Sequence, residues 1–182
     1  DCRFDKCEFS GIDGEGKVGI RINGRNARVE GCSFNEVYNK GIAIDLCWKN
    51  IQVDDDGAID GLLKTSWRKN RVTNCQFHKN RSGRAAININ GDYMMFGGLF
   101  ANNISDVGLN LMRVQDGGLA GSVITGNTFY GLENSQGKNP VIHIIDGRVE
   151  GLTITGNGFY CHGHDSNSEQ LDKRRDKFIT LE

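Results

Sequence analysis

One short pattern returns six times along this chain. Its copies are Phe4-Asp5-Lys6-Cys7-Glu8-Phe9, Val29-Glu30-Gly31-Cys32-Ser33-Phe34, Val72-Thr73-Asn74-Cys75-Gln76-Phe77, Leu99-Phe100-Ala101-Asn102-Asn103-Ile104, Ile124-Thr125-Gly126-Asn127-Thr128-Phe129 and Ile154-Thr155-Gly156-Asn157-Gly158-Phe159. Each reads apolar, polar, turn residue, Cys or Asn, a variable residue, then Phe or Ile. The Cys/Asn position falls at 7, 32, 75, 102, 127 and 157, in steps of 25, 43, 27, 25 and 30. A unit of about 25 residues fits four of the steps, and the longest holds an insertion or a second, degraded unit. Units that repeat in this way stack, and stacking sets equivalent residues in rows.

Each unit carries a second apolar–polar–apolar segment. These are Ile20-Arg21-Ile22, Ile42-Ala43-Ile44, Ile87-Asn88-Ile89, Leu109-Asn110-Leu111, Ile142-His143-Ile144 and Ile179-Thr180-Leu181. Strict alternation is strand periodicity, and the Gly, Asn and Asp between segments suit turns. Two or three short strands cannot bury an apolar face alone. Stacked about 4.8 Å apart, they share a continuous core of Ile, Val and Phe. The motif returns in the same order once per unit, which suits a coil that always turns the same way rather than antiparallel hairpins. Ile20, Ile44, Ile89, Leu111 and Ile144 are expected to stack inside it.

These residues resemble the right-handed parallel β-helix of the pectate-lyase-like superfamily, over nearly the whole chain. The I-T-G-N-x-F pattern at 124–129 and 154–159 is the most specific part of the likeness. The resemblance implies an all-β, right-handed parallel β-helix (a solenoid) of about six rungs. It forms one domain over residues 1–182, with residues 48–70 as an insertion loop or extra rung. It also implies a ladder of stacked turn asparagines, here Asn102, Asn127 and Asn157, with cysteines on the first three rungs. One fold hosts many functions, so the likeness bears on the fold more than on the activity.

Composition narrows the classes. The chain has 182 residues, 25 Gly, one Pro and a net charge of −1. Tight turns are plentiful, and neither a nucleic-acid partner nor a membrane span is expected. The chain opens and closes on rung-like segments, as a piece of a longer protein would. Six cysteines allow disulfides in an oxidising compartment. Yet Cys7, Cys32 and Cys75 share one repeat position, and a row of small buried thiols behaves as an apolar row. Free thiols suit assembly in a cytosol, including that of a phage particle before lysis.

If Ile20 and Ile22 point inward, their neighbours point out. One outward column then reads Arg21, Ala43, Asn88, Asn110, His143 and Thr180, and the next Asn23, Asp45, Asn90, Met112, Ile145 and Glu182. Amide-rich rows offer the donors and acceptors that sugar hydroxyls need, although any solvated sheet face is also polar. Asp45, Asp92, Asp116 and Asp146 follow these strands. Glycoside hydrolysis requires two carboxyl groups about 5–9.5 Å apart, a separation that neighbouring rungs supply. Asp45 and Asp92 are the acid–base candidates; Asp116 and Asp146 read as turn residues. Arg21, Asn88, Asn90, Asn110 and His143 are the expected sugar contacts. Trp48 and Trp67 flank them from the long step, because indole faces stack on sugar rings.

Two metal readings are weaker than they look. Asp54, Asp56 and Asp60 offer oxygens for Ca²⁺, but Gly57 falls too early and no Glu closes the loop. Cys161-His162-Gly163-His164 lacks a second cluster to complete a zinc site. No metal or other cofactor is expected.

The function expected is a carbohydrate-binding β-helix module that could also degrade polysaccharide. It is similar to phage tailspikes, with polysaccharide as partner, a homotrimeric parent protein, and a place in the virion or outside the cell. Two alternatives stand beside it: a non-enzymatic shaft or adhesin, and a secreted polysaccharide lyase or epimerase using Arg21, Arg113 and His143.

Overall fold

The computed structural model describes residues 2–23, 26–38, 41–48, 69–78, 85–91, 94–105, 112–115, 118–130, 142–144, 148–160 and 179–181. Among them there is no helix, and every strand pairing is parallel. Sheet I holds Arg3–Asp5, Arg28–Glu30, Arg71–Thr73, Leu99–Ala101, Val123–Thr125 and Thr153–Thr155. Sheet II holds Glu8–Asp13, Ser33–Tyr38, Gln76–His78, Ile104–Ser105, Thr128–Tyr130 and Gly158–Tyr160. Sheet III holds Val18–Ile22, Ile42–Trp48, Ala85–Gly91, Met112–Gln115, Ile142–Ile144 and Ile179–Leu181. A shorter sheet IV adds Met94–Phe96, Gly118–Ala120 and Arg148–Glu150. Neighbours in every sheet follow in chain order, so the chain is a parallel β-solenoid.

The repeated pattern is the corner between sheets I and II. Lys6, Gly31, Asn74, Asn102, Gly126 and Gly156 all take a left-handed backbone there, with φ between 53° and 64°. Gly and Asn tolerate that conformation, which turns the chain in one residue. The next residue points inward: Cys7, Cys32, Cys75, Asn103, Asn127 or Asn157. The sequence reading placed Asn102 in this row, and the structure shifts it by one. Asn102 makes the turn and Asn103 enters the ladder, since Phe100 rather than Leu99 pairs with Val72 and Ile124. The two consecutive asparagines, with Ile104 imitating the final Phe, hid the slip. Ile104 is 38% exposed, and Ser105 takes the buried position.

The ladder satisfies backbone groups that the corner would otherwise leave unpaired. Asn103 Oδ1 accepts from the Cys75 N–H at 3.0 Å, and Asn103 Nδ2 donates to the Val72 carbonyl at 3.0 Å. Asn127 repeats the arrangement, accepting from Asn103 N–H at 2.9 Å and donating to Phe100 O at 3.0 Å. Asn157 accepts from Asn127 N–H at 2.9 Å and donates to Ile124 O at 3.0 Å. On the earlier rungs thiols replace amides. Cys75 Sγ reaches Thr73 O at 3.3 Å, and Cys32 and Cys7 reach the carbonyls two residues back at 3.5 Å. Cys7, Cys32 and Cys75 are free thiols. Burial pushes the Cys32 thiol up and the Cys75 thiol up to about 12, so both stay protonated at neutral pH and are poor nucleophiles.

Inside the coil, Phe9, Phe34 and Phe77 stack with ring centroids 5.0 and 5.2 Å apart. Phe129 and Phe159 continue the stack at 5.0 Å, and Ser105 sits between the two runs. Sheet III lines the core with two rows rather than one. Ile20, Ile44, Ile87, Met112 and Ile142 are in register, as are Ile22, Leu46, Ile89, Val114 and Ile144. The expected single stack of Ile20, Ile44, Ile89 and Ile144 is therefore split across neighbouring rows; Leu111 lies outside the described residues. Gly19 permits the close approach of the second rung. A Cβ there would meet Ile12 Cδ1 at 2.6 Å and the Ala43 carbonyl oxygen at 2.7 Å.

No helix among the described residues is long and apolar enough to cross a membrane.

Candidate functional site

The outward residues of sheet III lie between its two core rows. The register sets Arg21 against Asp45, Asp45 against Asn88, Asn88 against Arg113, Arg113 against His143, and His143 against Thr180. This row, with a second of Cys47, Asn90 and Gln115 beside it, replaces the two expected columns. Ala43 is not opposite Arg21, and Met112 pairs with Ile87 and Ile142. A period of two cannot say which of several Ile residues on a neighbouring strand lies opposite. A slip of two keeps every face correct yet changes every neighbour. The segments Leu109-Asn110-Leu111 and Met112-Arg113-Val114 both alternate, and the structure uses the second. Arg113 is thus the row's missing member, carried by a Met-Arg-Val alternation already present in the sequence.

Asp45 organises the row. It is 3% exposed, and both carboxylate oxygens are engaged. Arg21 Nε donates to Oδ2 at 3.0 Å, and Asn88 Nδ2 donates to Oδ1 at 2.7 Å. An ionised carboxylate accepts and never donates, so it fixes the Asn88 amide with its nitrogen toward Asp45. The Asn88 carbonyl oxygen then points away, and this buried atom accepts no hydrogen bond from the described residues. Asn90, two residues along the same strand, also has a buried Oδ1 without a partner among the described residues. Arg21 is largely exposed, so its pair with Asp45 is screened by water. The shorter bond to Asn88 is the stronger restraint.

The structure therefore brings together Arg21, Asp45 and Asn88 by contact. Asn90 joins them along the strand, and His143 by register. Trp48 ends its strand opposite Gly91, beside the Cys47–Asn90 pair. Asp92, Trp67 and Asn110 lie outside the described residues, as do Asp54, Asp56, Asp60 and the Cys161–His164 segment. Among the described residues, no three His, Cys, Asp or Glu side chains group as a metal site.

No protein-family model matches the chain, and no curated protein matches it. Among solved structures the chain is similar to QnrB1, a plasmid-mediated fluoroquinolone resistance protein. The identity is 9%, over 97% of this chain and 96% of that one, with a TM-score of 0.14. A likeness at that score carries no argument about fold or function.

Proposed function

We propose that the chain is a carbohydrate-binding module of a tailspike-like protein. It would be a right-handed β-helix of about six coils akin to the pectate-lyase-like superfamily, binding polysaccharide along the outer face of sheet III. The observation that carries the reading is the polar row of Arg21, Asp45 and Asn88, tied by contact and ending in a largely exposed guanidinium. Guanidinium, carboxylate and amide groups together supply the donors and acceptors that sugar hydroxyls need. Handedness is supported by the strong preference of parallel crossover connections for the right hand. A virion or extracellular setting with cytosolic assembly is supported by the free thiols, and a homotrimeric parent by the tailspike resemblance alone.

A glycan array probed with the chain, beside its molar mass in solution, tests the reading. Asn90→Ala removes an amide on the same strand as Asn88 and should weaken glycan capture without loss of fold. Capture of no glycan by the wild-type chain would sink the proposal in favour of a structural shaft.

Catalysis is a separate proposal. Asp45 and Asp92 would act as the acid–base pair, and Asp45→Asn or Asp92→Asn should cut the release of new reducing ends by about 10²-fold or more. Asp45 holds Arg21 and Asn88 with both oxygens, so a proton-transfer role requires one of those bonds to open first. Full cleavage by both variants would leave Asp45 as a positioning residue only.

A further inference from the structure

The outer face of sheet I carries a feature that the sheet III reading leaves unused. Arg3, Arg28 and Arg71 stand in register on its first three strands, one strand spacing apart, about 4.8 Å. All three are exposed, because the next residue of each strand, Phe4, Val29 or Val72, turns inward. Like charges directly opposite one another destabilise a sheet. The charge stops abruptly: the same row continues as Leu99, Val123 and Thr153. It is therefore a local device and not the general character of the face.

Arg3 is neutralised, with Asp5 at 3.2 Å and Glu30 at 3.6 Å. Arg28 and Arg71 have no acidic partner among the described residues. Lys69, two residues before Arg71, adds a third such cation. These residues, with Cys2, Arg3 and Asn26, line a groove of about 450 Å³. Lys69 holds a left-handed backbone with φ of 75°; the matching corner residues are Asn26, with φ of 53°, and Gly97, Gly121 and Gly151.

We propose that Arg28, Arg71 and Lys69 form an oxyanion site that takes a tetrahedral sulfate or phosphate group. Two guanidinium forks and an ammonium present more donors than the two oxygens of one carboxylate can accept, and a tetrahedral oxyanion has the oxygens to match. The group is either a free ion or a substituent on a polyanionic chain running across the strands. The site lies on a different sheet from Asp45 and Asn88 and does not depend on the glycan reading.

The test is calorimetric titration of the chain with sodium sulfate and, separately, with dextran sulfate. Plain dextran and polygalacturonate serve as controls at matched ionic strength. Binding of both sulfate probes identifies the ion itself as sufficient, and binding of dextran sulfate alone identifies a polymer substituent. Either result supports the site provided that Arg28→Gln with Arg71→Gln weakens binding by about tenfold or more. Arg28→Lys keeps the charge but loses the fork, and should fall between the two. Lys69→Gly relaxes the backbone, so its weaker binding cannot be ascribed to misfolding; retained melting behaviour checks this. Unchanged sulfate binding in the double variant overturns the assignment, as does failure of the wild type to bind either sulfate probe. Polygalacturonate binding as tight as dextran sulfate overturns the tetrahedral selectivity.

Discussion

Ser105 occupies the row that phenylalanines fill elsewhere, and its hydroxyl is buried without a partner among the described residues. A buried hydroxyl left unpaired costs about 1–3 kcal/mol. Ser105→Ala should therefore raise stability by about 1 kcal/mol, read as a higher urea midpoint at unchanged slope. Cys75 makes the opposite case, a polar group held safely by staying neutral. Its thiol titrates near 9 when unfolded and is pushed up to about 12 by burial in the fold. Below about pH 9 both states hold the proton and pH has no effect through this group. Above it the unfolded chain loses the proton first, so stability falls by about 1.4 kcal/mol per pH unit until about pH 12. Urea melts at pH 8 and pH 10.5 should show that loss, and Cys75→Ala should remove much of it. An equal loss in the variant would place the alkaline sensitivity elsewhere.

At the scale of the element, the corner between sheets I and II is the unit that the chain repeats. Its left-handed residue sets the direction, and the following amide or thiol ties one rung to the next. Asn127 is the central tie, bonded to Asn103, Asn157 and the Phe100 carbonyl. Asn127→Leu leaves the buried Asn103 N–H and the Phe100 carbonyl without these partners. At about 1–3 kcal/mol each, the expected loss is about 2–6 kcal/mol. A melting temperature equal to the wild type's would show that the ladder is ornamental. Thiols make weaker hydrogen bonds than amides, so the Cys rungs rely more on packing, and the stacked Phe9, Phe34 and Phe77 supply it.

Across the whole molecule, each interior strand of sheets I to III has a parallel partner on both sides. Such a solenoid has no single central core; its stability is a sum over neighbouring coils. Protection from hydrogen exchange should follow that geometry. Amides of Arg71–Thr73, flanked by Arg28–Glu30 and Leu99–Ala101, should exchange more slowly than those of Arg3–Asp5, which pair on one side. Val72 is fully buried and Phe4 only partly, which points the same way. Uniform protection along the coil would indicate one all-or-none unit instead.

The parallel solenoid was written in the sequence, because six copies of one corner leave little else that a chain can build. Local chemistry determined it: a turn residue, an inward Cys or Asn, and alternating strands. The inward face of sheet III was legible for the same reason on the strands of Ile20, Ile44, Ile89 and Ile144, but not on the strand of Met112. Neighbour identity was not. Alternation is unchanged by a slip of two residues, so the sequence allowed Arg21 to face Ala43 where hydrogen bonding sets it against Asp45. Asn102 and Asn103 are chemically alike, and only the pairing of Phe100 with Val72 and Ile124 decided which one turns the chain. The arginine row was visible as Arg before the first apolar residue of three copies, yet its meaning required the strands to be stacked. Local preferences fix what each residue does to its own backbone; only the tertiary register decides which charges and amides meet across strands.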